Sequence, residues 1–152
     1  MRAMTAIAAA LLAAGCASAP GMERATLAVS LNGIQEVPGP GDPDGNGTAE
    51  VRVEPRQGRV CWDLSVRQID AATAAHIHRA AAGSAGPPVV TLTTPGAEGR
   101  SSGCAAVEAG LAGEMAAQSH LFYVNVHTAA FPAGAVRGQL RGGPMPRQRR
   151  SY

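Results

Sequence analysis

The body of the chain alternates with a period of two. Residues 48–54 set Ala49, Val51 and Val53 on one side and Glu50, Arg52 and Glu54 on the other. Residues 59–66 repeat the pattern, with Val60, Trp62, Leu64 and Val66 against Cys61, Asp63 and Ser65. Alternation of this kind marks a strand with one face buried and one face in water. Pro55-Arg56-Gln57-Gly58 lies between the two runs and predicts a β-hairpin. Residues 26–31 form an earlier strand, broken at Asn32-Gly33, and Gln35-Glu36-Val37-Pro38 follows it. Residues 39–47 are so rich in Gly, Pro, Asp and Asn that they predict a loop. Its acidic part lacks the ligand spacing and terminal glutamate of a calcium loop and reads as turn chemistry.

Four more strands are expected at Ala75-His76-Ile77-His78, at 89–93, at 121–128 and at 136–140. Residues 69–74 connect, residues 83–88 form a loop, and 95–103 form a second loop that delivers Cys104. Helical spacing occurs once, in residues 107–119, where Leu111 and Met115 stand four apart and Gly110 and Gly113 weaken the segment. There is no βαβ unit and no repeat. About seven short strands separated by turns predict an all-β domain, an antiparallel β-sandwich or Greek-key fold with at most one short helix.

Composition bounds this picture. A chain of 152 residues builds one domain with a modest core. Alanine contributes most to its 45% hydrophobic content, so Trp62, Phe122, Tyr123 and Phe131 must anchor the interior. Lysine is absent. Residues 23–142 carry 9 Arg against 11 Asp and Glu, and the overall charge of +2 comes from Arg2, Arg147, Arg149 and Arg150 at the ends. A slightly acidic body argues against nucleic acid as a partner, because phosphate binding needs a basic face.

The first residues read as a targeting segment: Met1-Arg2, then an apolar run over 4–14. That run is shorter than the roughly 20 residues that span a bilayer. It ends in Leu12-Ala13-Ala14-Gly15-Cys16, which resembles a bacterial lipoprotein lipobox, with Ala13 where leucine is more usual. The competing cut after Ala17-Ser18-Ala19 would leave Pro20 next in line, which that peptidase disfavours. The expectation is a signal peptide over 1–15, lipidation at Cys16, a tether over 16–25 and a domain over 26–142. A disordered Arg-rich tail follows over 143–152, and the protein is exported to the cell envelope. With Cys16 committed to lipid, Cys61 and Cys104 remain as an even pair, which in an exported protein is normally a disulfide. Two buried free thiols are the alternative.

Three of the four histidines fall inside strands. Residues i and i+2 of a strand share a face, so His76 and His78 present their imidazoles together. If the later strand pairs nearby, His127 completes the group, with Tyr123 and Asn125 on the same side by parity. Neutral imidazoles suit copper or zinc. The alternative is a hydrogen-bonded polar network in which Asn125 and Arg137 are partners of the histidines. Glu36 and Arg137 are placed to pair across the first and last strands, and His120 is expected at the surface.

Four blocks in order resemble the CHRD (chordin) domain family: Leu31-Asn32-Gly33-Ile34-Gln35-Glu36-Val37-Pro38, Ala75-His76-Ile77-His78, Tyr123-Val124-Asn125-Val126-His127-Thr128 and Gly134-Ala135-Val136-Arg137-Gly138-Gln139-Leu140. The chain departs from that pattern at Arg79-Ala80-Ala81-Ala82, where the family usually has a glycine soon after His-x-His. The resemblance implies a β-sandwich of immunoglobulin-like or superoxide-dismutase-like character and no established enzymatic activity. The histidine arrangement also looks like the copper side of Cu,Zn superoxide dismutases, without counterparts of their zinc-site residues. The expected function is a binding or structural module of the cell envelope, held to the membrane through Cys16 and facing an envelope protein or polymer. The alternative is a copper- or zinc-binding protein, with dismutase-like chemistry as one form of it, using His76, His78 and His127.

Overall fold

The computed structural model describes residues 24–144. The expected signal peptide, Cys16, residues 16–23 of the tether and the tail from residue 145 lie outside the described residues. Nine strands and one α-helix follow in order: β1 Ala25–Asn32, β2 Asn46–Glu54, β3 Arg59–Arg67, β4 Ala72–Arg79, β5 Pro88–Leu92, β6 Arg100–Ala106, α1 Ala109–Ala117, β7 Phe122–Thr128, β8 Val136–Gln139 and β9 Arg141–Pro144. All pairings are antiparallel, in the order β5-β4-β7-β8-β1-β2-β3-β6, with β9 also against β1. The sheet folds nearly closed, and β5 and β6 are its two unpaired ends. The all-β expectation holds.

Period two does most of the folding. Leu27, Val29 and Leu31 of β1, Val51 and Val53 of β2, and Val60, Trp62, Leu64 and Val66 of β3 all point inward and are buried. They meet Ile77, Val90, Leu92, Val124, Val126 and Val136 from the other half. Helix α1 buries Ala112 and Met115 over one end of this core. Burying a side chain such as Val or Leu contributes about 1.5–3 kcal/mol, so these rows fix the register; a one-residue slip would turn each of them outward.

Strand β4 begins at Ala72, inside the stretch 69–74 expected to connect, and three further elements differ from expectation. Residues 100–103, expected to end a loop, form β6 together with residues 104–106, and this strand pairs with β3 through Cys61↔Cys104 and Trp62↔Gly103. Arg-Ser-Ser-Gly-Cys-Ala-Ala has no β-branched residue, so its strand character comes from the partner and not from its own pattern. Gly103 is small because a Cβ there would press into the Trp62 ring. The helix is shorter than 107–119, ending at Ala117 before a 3-10 turn over Ser119–Leu121. The chain also continues past residue 140 into β9. The Cys61–Cys104 disulfide is present and joins directly opposed residues of β3 and β6.

Candidate metal centre

Strand β7 is central, lying between β4 and β8. Its even residues, Phe122, Val124 and Val126, enter the core, so Tyr123, Asn125 and His127 occupy the opposite face. The ladder sets His76 against Asn125, His78 against Tyr123, and Arg137 of β8 on the far side of Asn125. One polar layer results, and every residue expected at the site lies in it.

The layer is outside the core and yet largely dry. His78, Tyr123, Asn125, Arg137 and Gln139 are all buried, and His76 and His127 are half-buried. Segment 80–87 crosses over it, held where the Arg79 N–H donates to the Pro87 carbonyl at 3.0 Å. The Gln139 side-chain amide lies 2.9 Å from the Ala80 carbonyl and 2.7 Å from that of His120. Segment 33–45 lies against the other end, where the Asp42 N–H donates to the Ala135 carbonyl at 2.8 Å. Depressions of about 700 Å³ beside Glu50 and Asp63 and about 750 Å³ between Ile69 and Pro95 have no histidine in their walls.

Two backbone carbonyls set the chemistry of the imidazoles. His78 Nδ1 lies 2.9 Å from the Gly86 carbonyl, and His127 Nδ1 lies 3.1 Å from that of Pro132. A carbonyl only accepts, so both Nδ1 atoms carry the proton and both Nε2 atoms present lone pairs. His76 Nδ1, 3.3 Å from His127 Nε2, then donates to it. His78 Nε2 is buried with no partner. One ligand atom from each ring can be chosen so that all three lie within 4.8 Å of one another. A tetrahedral ion with bonds of 2.0–2.1 Å holds its nitrogens about 3.3 Å apart. His76 Nδ1 and His127 Nε2 have that spacing, but Nδ1 can ligate only after giving up its proton and passing the ring to the Nε2–H tautomer, and His78 must close the rest of the distance.

Burial lowers the pKa of all three histidines; mutual repulsion adds to it at His76, while the carbonyl bonds oppose it at His78 and His127. They are therefore neutral at pH 7, the form that binds metal. His78 stacks on Tyr123 with ring centroids 4.9 Å apart, and the Arg137 guanidinium sits 3.4 Å from the centre of the same ring. The Tyr123 hydroxyl accepts from the Gly86 N–H at 3.2 Å, steadying the residue whose carbonyl orients His78.

The family model of the CHRD domain matches residues 27–140. The chain belongs to the CHRD-domain family. No curated protein and no solved structure gives a match. In this CHRD domain the four sequence blocks converge: Ala75–His78 and residues 123–128 supply the histidines, residues 134–140 supply Arg137, and residues 31–38 supply Glu36.

Glu36 and Arg137 do not form the ion pair expected of them. Among the described residues, the charge pairs within 4 Å involve Arg24, Arg52, Arg59 and Arg79. Arg137 instead donates to the Ala81 carbonyl at 3.2 Å. Asn125 Nδ2 donates to Glu36 Oε2 at 3.3 Å, and burial raises the Glu36 pKa to about 7 despite the nearby Arg137 charge. A Cβ at Gly134 would collide with the Glu36 carboxylate and Asn125, so only glycine admits this approach. His120 is exposed, as expected. The sequence does not announce the Gly86 and Pro132 carbonyls, because a backbone acceptor has no residue code; Gly86 and Pro132 in the adjoining turns are the only trace.

Proposed function

We propose that this CHRD domain is a binding module of the cell envelope and that its ligand is a transition-metal ion, copper or zinc, held by His76, His78 and His127. The observation that carries the reading is the buried, unpartnered Nε2 of His78, on a ring that joins two further imidazoles with one ligand atom of each within 4.8 Å of the others. A buried acceptor without a partner costs about 1–3 kcal/mol, and an ion between the rings would offset that cost. The lipobox-like Leu12-Ala13-Ala14-Gly15-Cys16 supports a location outside the cytoplasmic membrane, tethered by lipid on Cys16. Such a module presents its site to the exported compartment, where an envelope protein or polymer is its neighbour. Binding of the ion is the proposed activity.

One observation favours a purely structural layer: His76 and His127 already satisfy each other. Metal analysis of protein purified without a histidine tag separates the two. The metal reading expects one copper or zinc per chain at micromolar affinity or better. It also expects a loss for His78→Ala exceeding the roughly 10–100-fold that substitution of an outer partner causes. Absence of binding, or equal binding by His78→Ala, leaves the structural reading.

A further inference from the structure

We infer that the three-histidine site selects monovalent over divalent metal, favouring Cu(I) over Zn(II), because the fixed charge built beside it is positive. The inference rests on the three-histidine reading and concerns which ion the site prefers.

The donor set is three neutral nitrogens, with no carboxylate or thiolate among them. Structural and catalytic zinc sites commonly include at least one anionic ligand, although all-histidine sites exist, so neutral donors permit the lower charge without requiring it. The decisive group is Arg137. Its side chain is 1% exposed, a guanidinium stays charged even where burial lowers its pKa, and its Nη1 has no hydrogen-bond partner. It rests 3.4 Å from the centre of the Tyr123 ring, on which His78 stacks from the neighbouring strand. A cation bound at His78 is therefore separated from a fixed positive charge by one aromatic ring. Glu36, the nearby carboxyl group, makes no ion pair with Arg137 and has a pKa raised to about 7 by burial, so it offsets the guanidinium only in part. Arg137 therefore repels a dication by one unit of charge more than a monocation. At an effective dielectric of about 20, one unit of charge about 10 Å away corresponds to roughly tenfold in relative affinity.

The test is competition binding of Cu(I), under anaerobic reducing conditions with a chromophoric chelator, and of Zn(II), to the wild type and to Arg137→Gln. The expected result is that Zn(II) affinity rises about tenfold more than Cu(I) affinity in Arg137→Gln. Equal shifts in the two affinities, or no gain for Zn(II), would overturn the inference while leaving the histidine site standing. Should Arg137→Gln fail to give a folded near-ultraviolet spectrum, the wild type decides by itself. Retention of Cu(I) against a tenfold excess of Zn(II) supports the inference, and displacement by equimolar Zn(II) sinks it. If neither ion binds the wild type, the three-histidine reading falls first and takes this inference with it.

Discussion

Two outer faces of the same sheet carry polar residues and have opposite physics. On the β2–β3 face, Arg52 reaches Glu50 at 2.8 Å and Asp63 at 2.7 Å, with those carboxylates more than half exposed. On the β4–β7–β8 face, His78, Asn125, Arg137 and Gln139 are at least nine-tenths buried. The alternation that produces both faces is identical. What differs is the cover: segments 33–45 and 80–87 exclude water from the second face, and glycines at 86 and 134 let backbone approach where a Cβ would collide. Solvent turns charge pairs into weak, interchangeable contacts. Without it, each polar atom needs a designated partner, and protonation states become fixed.

The largest expected effect breaks the exposed half and spares the covered one. The Cys61–Cys104 bond closes a separation of 43 residues, worth about 4 kcal/mol on the chain-entropy account. Replacing both cysteines by serine should lower stability by about that amount in urea titration. Metal affinity measured below the unfolding transition should be unchanged, since neither sulfur lies on the histidine strands. A parallel loss of affinity would mean that the two faces are not independent.

How much of this was legible in the sequence follows the same division. Strands β1, β2, β3 and β7 stand out because their own alternation buries Val, Leu and Trp, and the parity of Tyr123, Asn125 and His127 put the layer on one face in advance. Strand β6 was hidden because small residues satisfy a ladder without displaying a pattern. At the site, the side chains were foreseeable and their tautomers were not, since these depend on carbonyls brought in by segments 80–87 and 129–134. The Glu36–Arg137 pairing failed for a related reason. Charge complementarity suggests a bond, but Arg137 is taken by the Tyr123 ring and the Ala81 carbonyl.

The next effect tests how dry the covered face is. Burial raises the Glu36 pKa from 4.5 to about 7. A raised folded-state pKa means that the native state binds the proton more tightly than the unfolded chain. That contribution is fully present below pH 4.5 and is lost as pH rises through about 7. The difference amounts to at most about 3 kcal/mol. The lowered histidine pKa values act oppositely, removing stability as pH falls through 6.5, so the wild-type profile is a balance of the two. Glu36→Gln removes only the first component. Its stability relative to wild type should therefore rise between pH 5 and pH 8, by up to about 3 kcal/mol. A flat difference across that range would show that water reaches the carboxylate and that segment 33–45 does not seal the layer.

The smallest effect belongs to the open face. Arg52→Ala removes both contacts to Glu50 and Asp63 at once, yet exposed pairs are worth about 0.2–1 kcal/mol and are screened by salt. The stability loss should be under about 1 kcal/mol in dilute buffer and should fade at 1 M salt, where the Debye length shrinks to about 3 Å. Arg52 also lies opposite Cys61, across from the disulfide, so a larger, salt-independent loss would assign its aliphatic stem a packing role over that bond. That outcome would narrow the contrast between the faces, because part of the outer β2–β3 surface would then be ordered by burial, as the histidine layer is. The salt dependence, rather than the size of the loss, is the measurement that separates these two states of an arginine on a strand.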